Sequence, residues 1–272
     1  MNYICIGKDN MDDFKSVLYP GFEPGEKRIT IGAYDDDGTI QGAVSFLLME
    51  DQYDCDWLYV HPECRGKGVG SGLYDQIRDF IQGTGMIYPL SASFEVSEED
   101  RDLYGFFLSE DDVIVEYSHK RFYVKPEQIA AADILKKELL TGYQVELFSE
   151  LNTEQKKEVL AELKEQHCYL IQDAAGWVKE RIPELDMVLY DRDSIVGLIF
   201  FGKREDNYLE LSYLYSTSPM GVLQMLARSA KIVDETYPGY GIVYDAVNVE
   251  TEAISRKIFP DNTGVCIYEA VW

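Results

Sequence analysis

The sequence is poor in histidine and cysteine, and the few that occur are not spaced for metal binding or for disulfides. It has five cysteines and three histidines in 272 residues. No two cysteines form a CxxC pair, no two histidines have HxxxH spacing, and an odd cysteine count argues against a disulfide framework. These absences exclude the common patterns of a structural zinc site. We therefore expect reduced cysteines and no metal ion.

Long apolar runs and an excess of positive charge are also missing. No apolar run approaches the roughly 20 residues that span a bilayer, and the opening MNYICIGKDNMDDF lacks the basic and apolar regions of a signal peptide. The formal net charge is −24, which repels nucleic-acid phosphates and anionic membranes and attracts cations. We expect a cytoplasmic protein that binds no nucleic acid and no membrane and acts on a cationic substrate.

Both halves of the chain show one order of predicted elements. Each half has a strand, a helical segment, a hairpin, a strand, a long helix, a strand, a short helix and a strand; the second half also has a predicted helix at about 171–181. A chain of this length accommodates two domains. The pattern predicts an α/β (α+β) fold with two tandem domains, each a mixed, mostly antiparallel twisted sheet flanked by helices. The predicted bounds are 1–126 and 141–272, with a connector at 127–140.

Four glycines lie within seven residues, between a predicted strand and a predicted amphipathic helix. The segment LYVHPECRGKGVGSGLYDQI covers residues 58–77, with glycine at 66, 68, 70 and 72. Glycine serves where the backbone turns unusually or a ligand comes close, and the amides that begin a helix bind anions. The spacing matches neither the Walker loop GxxxxGK[ST] nor the dinucleotide motif GxGxxG. It indicates a phosphate-binding turn of another type.

The segment resembles the acetyl-CoA motif of the Gcn5-related N-acetyltransferases, the GNAT superfamily. That motif is Arg or Gln, two residues, Gly, one residue, then Gly or Ala; Arg65, Gly68 and Gly70 satisfy it, and the preceding Val60-His61-Pro62 is also typical. The resemblance implies acetyl-CoA as the acyl-donor substrate, with strand residues along the pantetheine arm and turn residues around the pyrophosphate. The implied donor-binding residues are Leu58, Tyr59, Val60, Arg65, Gly66, Lys67, Gly68, Val69, Gly70 and Ser71.

The resemblance also indicates catalytic groups. Acetyl transfer to an amine requires that the ammonium lose a proton, that the oxyanion be stabilised and that the leaving thiolate be protonated. In the family a tyrosine in an L-Y-x-x-x-G-F-like run commonly protonates the thiolate, and Tyr104 has that place here. Histone-type members carry a glutamate 11 positions before the motif, where this sequence has Asp54. Asp56 lies two residues on, hence on the same face of a strand, so either acid is a candidate base.

The second half departs from the motif at both places. The segment YLYSTSPMGVLQML has a single glycine, Gly221, with no Arg or Gln before it, and AISRKIF puts Ser255 where the tyrosine belongs. We expect a degenerate GNAT-like domain that does not bind acetyl-CoA. Its expected roles are packing and shaping the acceptor cleft.

The predicted function is an N-acetyltransferase that moves an acetyl group from acetyl-CoA to a primary amine by direct attack. The expected partner is a small, cationic amine or a peptide amino group, and the protein is expected to be a monomer with a pseudo-dimeric tandem or a homodimer. The alternative is a non-catalytic acyl-CoA-binding sensor or interaction module. A GNAT-like fold that binds no CoA would leave the glycine turn unexplained.

Overall fold

The computed structural model describes residues 1–49, 52–83, 85, 88–97, 101–136, 142–165, 181–204 and 206–272. The chain divides into two compact units. The first unit comprises Met1–Ser118 and Cys266–Trp272, and the second comprises His119–Val265. Of the helix predicted at about 171–181, only the last residue lies within the described residues.

The strands and helices follow the predicted alternation along the chain. The strands are β1 (Asn2–Cys5), β2 (Arg28–Tyr34), β3 (Ile40–Leu48), β4 (Tyr53–Val60), β5 (Leu90–Val96), β6 (Ile114–Val124), β7 (Gln144–Leu147), β8 (Met187–Asp191), β9 (Ser194–Lys203), β10 (Tyr208–Ser216), β11 (Gly241–Ala246) and β12 (Val265–Val271). The helices are α1 (Val69–Gly83), α2 (Asp102–Leu108), α3 (Pro126–Ala131), α4 (Asp133–Lys136), α5 (Thr153–Glu165), α6 (Pro219–Thr236) and α7 (Val249–Ile258). Among the described residues, no helix is long and apolar enough to cross a membrane.

The first unit is built on a mixed sheet in the order β1-β2-β3-β4-β5-β12. Its neighbouring strands are antiparallel except for β4 and β5, which are parallel. Helix α1 covers this sheet because its apolar residues recur every four positions and so form one buried face. Val69, Leu73, Ile77 and Ile81 are all at most 2% exposed and pack in one cluster with Phe46.

The second unit repeats this arrangement in the order β6-β11-β10-β9-β8-β7. Here β10 and β11 are the parallel pair, and the other neighbours are antiparallel. Its core brings Leu189, Phe201 and Met225 into one cluster, and all three are fully buried. Each unit thus has six strands in a mixed, mostly antiparallel arrangement with helices packed on them, which confirms the predicted fold class.

The units do not follow the predicted domain bounds of 1–126 and 141–272. Strand β12, near the end of the chain, pairs with β5 in the first unit. The part of β6 from Lys120 to Val124 pairs with β11 in the second unit. The order of elements along a sequence does not specify which strands pair. Bounds drawn from that order therefore miss this exchange of strands, in which β12 belongs to the first unit and the paired part of β6 to the second.

Two local predictions in the first unit have different outcomes. The expected turn between β2 and β3 forms because the Asp35 carboxylate accepts bonds from the amides of Asp37 (3.0 Å) and Thr39 (2.9 Å), while Gly38 adopts a φ of 82°. The helical segment expected soon after β1 shortens to a 3-10 turn at Met11–Phe14.

Candidate functional site

In the first unit, β4 and β5 pair only at their first residues. Tyr53 lies opposite Leu90 and Asp54 opposite Ser91, and the described register goes no further. On its other edge β4 follows β3 as far as Val60, with Asp56 as the extra residue of a β-bulge. A bulge bends the strand that carries it. A cleft therefore opens between β4 and β5 beyond Asp54, and one edge of β4 is left without a strand partner in the described residues.

The glycines after β4 have two distinct roles. Gly66 and Gly68 have φ angles of 69° and 80°, and no atom lies within 4 Å of the place a Cβ would take, so backbone conformation is what requires glycine there. A Cβ on Gly70 would lie 3.1 Å from the Phe106 ring, and one on Gly72 would lie 1.8 Å from the Tyr3 hydroxyl. The first pair shapes the turn, and the second pair lets neighbouring side chains approach α1.

The turn presents backbone N–H groups in a form that suits an anion. The first amide of this segment with a backbone acceptor is that of Gly72, which donates to the Gly68 carbonyl (3.0 Å). Among the described residues, the amides from Gly66 to Ser71 have no protein acceptor. They precede or begin a 15-residue helix, whose dipole favours negative charge. Their number and position fit a pyrophosphate.

Hydrogen bonds and an ion pair from side chains hold the same turn in place. Arg65 donates to the Val60 carbonyl (3.1 Å) and forms an ion pair with Asp102 (2.6 Å), which ties the turn to β4 and α2. Ser71 donates to the Glu110 carboxylate (2.7 Å). The predicted Lys67 is exposed. A phosphate bound at the turn would compete with Asp102 and Glu110 for Arg65 and Ser71.

The predicted strand residues and Tyr104 lie beside the cleft. Leu58 packs against both the α1 cluster and the apolar cluster under α2, Tyr59 stacks on Trp57 (6.1 Å between ring centroids), and Val60 joins the α1 cluster. Tyr104, on α2, contacts the Tyr268 ring (4.8 Å) and packs on the cluster under α2 that Leu58 also contacts. The structure thus brings Leu58 and Tyr104 together on the helix side of the cleft.

Asp54 lies at the closed end of the cleft, at the last paired position of β4. Its carboxylate accepts a bond from the Ser91 hydroxyl (3.0 Å). Burial raises the pKa of Asp54, and the negative charges of Asp56 and Glu269 raise it further against the opposing effect of Ser91. A carboxylate with a raised pKa is better suited to accept a proton near neutral pH than an ordinary surface acid is.

Asp56 is held by another partner. It pairs with Arg28, and the two side chains are only 23% and 15% exposed. Arg28 also donates to Ser45 (2.9 Å) and lies over the ring of Tyr19 (5.8 Å). The bulge at Asp56 interrupts the alternation on which a shared face with Asp54 depends. Of the two predicted bases, Asp54 is the one that the cleft can use.

Two residues of this site were missed by the sequence analysis because β12 was assigned to the other domain. Glu269 lies opposite Ser93 on β5 and accepts a bond from Ser118 (2.8 Å). Trp272 exchanges backbone hydrogen bonds with Leu90 (both 3.0 Å), so it lies at the closed end of the cleft. Its indole packs between three rings, Phe46, Tyr74 and Phe107, at 5.3–5.9 Å.

The second unit keeps the diverging strands but not the glycine turn. Strands β10 and β11 pair only as far as Glu210 opposite Val243, and Ser212 is the extra residue of a bulge. Only two residues, Thr217 and Ser218, separate β10 from α6. A Cβ on Gly221 would lie 2.5 Å from Leu189, so this glycine serves packing. The second copy is degenerate, as the sequence predicts.

Comparisons with known proteins agree with this architecture. Residues 26–105 match the family model of the acetyltransferase (GNAT) domain, and no curated protein matches the sequence. A tandem GNAT protein from the clavulanic acid biosynthesis pathway is 11% identical with a TM-score of 0.65, over 99% of this chain and 97% of that one. A GCN5-related N-acetyltransferase from Sphaerobacter thermophilus is 13% identical with a TM-score of 0.62, over 97% and 84%.

A third solved structure is a GCN5-related glucosamine N-acetyltransferase region of a fungal multi-domain GH3 β-N-acetylglucosaminidase. It is 12% identical with a TM-score of 0.66, over 100% of this chain and 38% of that one. At such identities the structural likeness shows the fold, whereas the family match identifies the domain. Residues 26–105 therefore form a domain of the GNAT acetyltransferase family, and the chain as a whole has the fold of a tandem GNAT protein.

Proposed function

We propose that the protein is an N-acetyltransferase that transfers an acetyl group from acetyl-CoA to a primary amine in the first unit. One observation carries this proposal: the strand that diverges from its neighbour, β4, leads directly into a turn with two positive-φ glycines and a row of available amides. A thioester donor with a pyrophosphate needs both features. The non-catalytic acyl-CoA-binding module is the alternative, and it would use the same two features.

The donor is expected to lie along β4. The amides from Gly66 to Ser71 would hold the pyrophosphate, and the free edge of β4 from Leu58 to Val60 offers backbone groups for the amides of the pantetheine arm. With the donor in this position, we expect the acyl group near the bulge at Asp56, between the helix side and the closed end of the cleft. Acetyl-CoA supplies the acyl group as an activated thioester.

The residues around the cleft suit direct transfer. The amine nitrogen forms a bond to the acyl carbon, and the carbon–sulfur bond breaks. Asp54 accepts, through water, the proton that the ammonium loses before the attack. The Tyr104 hydroxyl gives its proton to the departing sulfur and is reprotonated by the second proton that the nitrogen loses as the amide forms. Each proton therefore has a named group to hold it, and no covalent bond to the protein is formed.

The acceptor is expected to be a cationic small molecule or a peptide amino group. Asp54 lies at the closed end of the cleft and is close enough to Glu269, on β12, to be affected by its negative charge. The net charge of −24 also attracts cations from a distance. The fungal neighbour is named as a glucosamine N-acetyltransferase region, and glucosamine is an amine of this class.

The experiment that tests this function combines calorimetric titration with acetyl-CoA and an assay of thiol release with a panel of amines. We expect one donor site per chain and turnover with at least one amine. Tyr104→Phe is expected to keep donor affinity within about twofold and to lower turnover by about 10²-fold or more, since general acids contribute on that order.

Tyr117→Phe is the matched control, because Tyr117 contacts the same Tyr268 ring (5.8 Å) but is 50% exposed. Donor binding without turnover for any amine would favour the non-catalytic module. Equal turnover in Tyr104→Phe and the unaltered protein would remove Tyr104 from the mechanism, and absence of donor binding would reject the function.

A further inference from the structure

The second unit contains a cavity of about 660 Å³. It lies where β10 and β11 diverge, between α6 and α7, and all of its lining residues belong to residues 119–265. Pockets for small molecules typically have volumes of about 300–1,000 Å³. The cavity is therefore large enough to hold a small-molecule ligand. None of its lining residues belongs to the donor site proposed in the first unit.

At one equivalent position the second unit has a much smaller residue than the first unit has at the closed end of its cleft. In the first unit Asp54 stands two residues before the bulge, and Trp272 lies opposite Leu90 on the next strand pair. The equivalent positions of the second unit are Glu210, two residues before its bulge, and Val124, opposite Ile242. Valine lacks the ring that fills this place in the first unit, and Val124 lines the cavity.

The strand-to-helix turn beside the cavity is not built for CoA. It has two residues between Ser216 and Pro219, where the first unit has eight between Val60 and Val69. The amides of Thr217 and Ser218 are already bonded, to the Val196 carbonyl (2.9 Å) and to the Ser216 hydroxyl (3.2 Å). Pro219 begins α6 without an N–H group. Among the described residues, a pyrophosphate would meet only the amides of Met220 and Gly221 here, where the first unit offers the six from Gly66 to Ser71.

The charges that line the cavity favour a cation. Its two arginines already have carboxylate partners: Arg121 binds Asp245 through two bonds (2.7 and 2.9 Å), and Arg204 binds Asp206 (2.8 Å). Glu210 and Glu250 also line the cavity, so its lining carries three carboxylates, with Asp245, against two guanidinium groups. In the described parts of the chain neither glutamate forms an ion pair, and Glu210 interacts with Arg204 only through the longer-range charge of that guanidinium. The remaining charge is therefore negative, and a bound cation would offset it.

Most of the rest of the lining is apolar or aromatic. Leu226, Ile254 and Ile258 contribute aliphatic surface from α6 and α7, and Tyr244, which packs in the same cluster, contributes a ring. Aromatic faces attract ammonium groups, and aliphatic walls favour an apolar ligand body. We propose that this cavity is a second binding site, which takes a small molecule with an apolar body and a cationic amino head and does not take CoA.

The test uses two probes of one shape and opposite charge, 4-phenylbutylamine and 4-phenylbutanoate, titrated calorimetrically into the full chain. The amine is expected to bind at the cavity at least tenfold more tightly than the carboxylate. Glu210→Gln is expected to lower the affinity for the amine about tenfold and to leave the affinity for the carboxylate unchanged. Val124→Trp, which places the first unit's ring in the cavity, is expected to abolish amine binding.

Two controls separate this site from the acceptor site of the first unit. Asp191→Asn removes a charge of the same sign at an exposed position of β8 and should leave amine affinity unchanged, as should Asp54→Asn. Thermal unfolding shows whether each variant is folded, and Glu210→Gln, which keeps the side-chain shape, decides the case if Val124→Trp does not fold. Failure of acetyl-CoA to bind would reject the proposed function but not this site.

Three results would overturn the proposal. Equal affinity for the two probes would contradict the claim that the site prefers a cationic head group. Amine binding that survives Glu210→Gln but is lost in Asp54→Asn would place the amine in the first unit. A second acetyl-CoA site per chain that Val124→Trp removes would show that the cavity takes CoA.

Discussion

Asp54 and Asp56 lie two residues apart on β4 and have opposite surroundings. Asp54 is half-buried at the closed end of the cleft, close to other carboxylates, whereas Asp56 is neutralised by Arg28. The sequence predicts both as candidate bases because the family spacing reaches one and strand alternation adds the other. Their separation depends on a bulge and on a partner 28 positions away, and neither is readable from local sequence.

The raised pKa of Asp54 gives a prediction with a definite sign. Because the folded protein disfavours the ionised form, the stabilising contribution of Asp54 is complete below its unfolded pKa of about 3.9 and is lost as the pH rises through the folded pKa. Asp54→Asn is therefore expected to raise the unfolding temperature at pH 7 and to give no gain at pH 3. Turnover should fall by about 10²-fold at pH 7.

Asp56→Asn provides the comparison for this measurement. It leaves the Arg28 guanidinium, which is only 15% exposed, without its carboxylate partner, and should therefore lower the unfolding temperature at pH 7. If both variants shifted the unfolding temperature in the same direction, the contrast drawn between these two acids would be wrong.

At the scale of elements, the strand–turn–helix segment is the part of the site that local sequence specifies best. The amphipathic helix predicted after the glycines corresponds to α1 at Val69–Gly83, because apolar residues every four positions determine its buried face. Glycine spacing likewise predicts an unusual turn. Which glycines shape the turn and which admit a neighbouring ring depends on Phe106 and Tyr3, which come from distant parts of the chain.

Gly68→Val tests the turn itself. A β-branched side chain disfavours the φ of 80°, at a cost of order 1–3 kcal/mol, so the turn would rearrange and its amides would no longer converge. We expect at least a tenfold loss of acetyl-CoA affinity by calorimetry. Gly25→Val is the control, since Gly25 has no positive φ and open space around it. Equal donor affinity in the two variants would show that the amides of this turn do not hold the donor.

At the scale of the whole molecule, a net charge of −24 repels one of the two expected substrates and attracts the other. CoA is a polyanion, and the expected acceptor is a cation. Raising the ionic strength from about 0.01 to 0.15 M shortens the Debye length from about 30 to 8 Å. We expect the KM for acetyl-CoA to fall severalfold and the KM for the amine to rise severalfold. A parallel change in both KM values would contradict a cationic acceptor.

The tandem order of elements could be predicted from sequence, and the exchange of strands could not. Every helix and strand of the repeat leaves a local signal in periodicity and turn residues. The pairing of β5 with β12 joins residues 170 to 180 positions apart, from Val96 with Cys266 to Ser91 with Val271, and leaves no such signal. Glu269 and Trp272 were missed for this reason, and the cavity that depends on Val124 was missed with them.

Strand β12, which is made last but pairs with β5 in the first unit, also determines the order in which the two units can finish folding. A ribosome releases β5 long before it has made Val265–Val271, and closing so long a loop is entropically costly and slow. Until β12 is synthesised, β5 presents an open edge that can pair with another chain. The unit that carries the glycine turn is thus translated first and finished last, so a nascent chain has to make all of the second unit before the first can close its sheet.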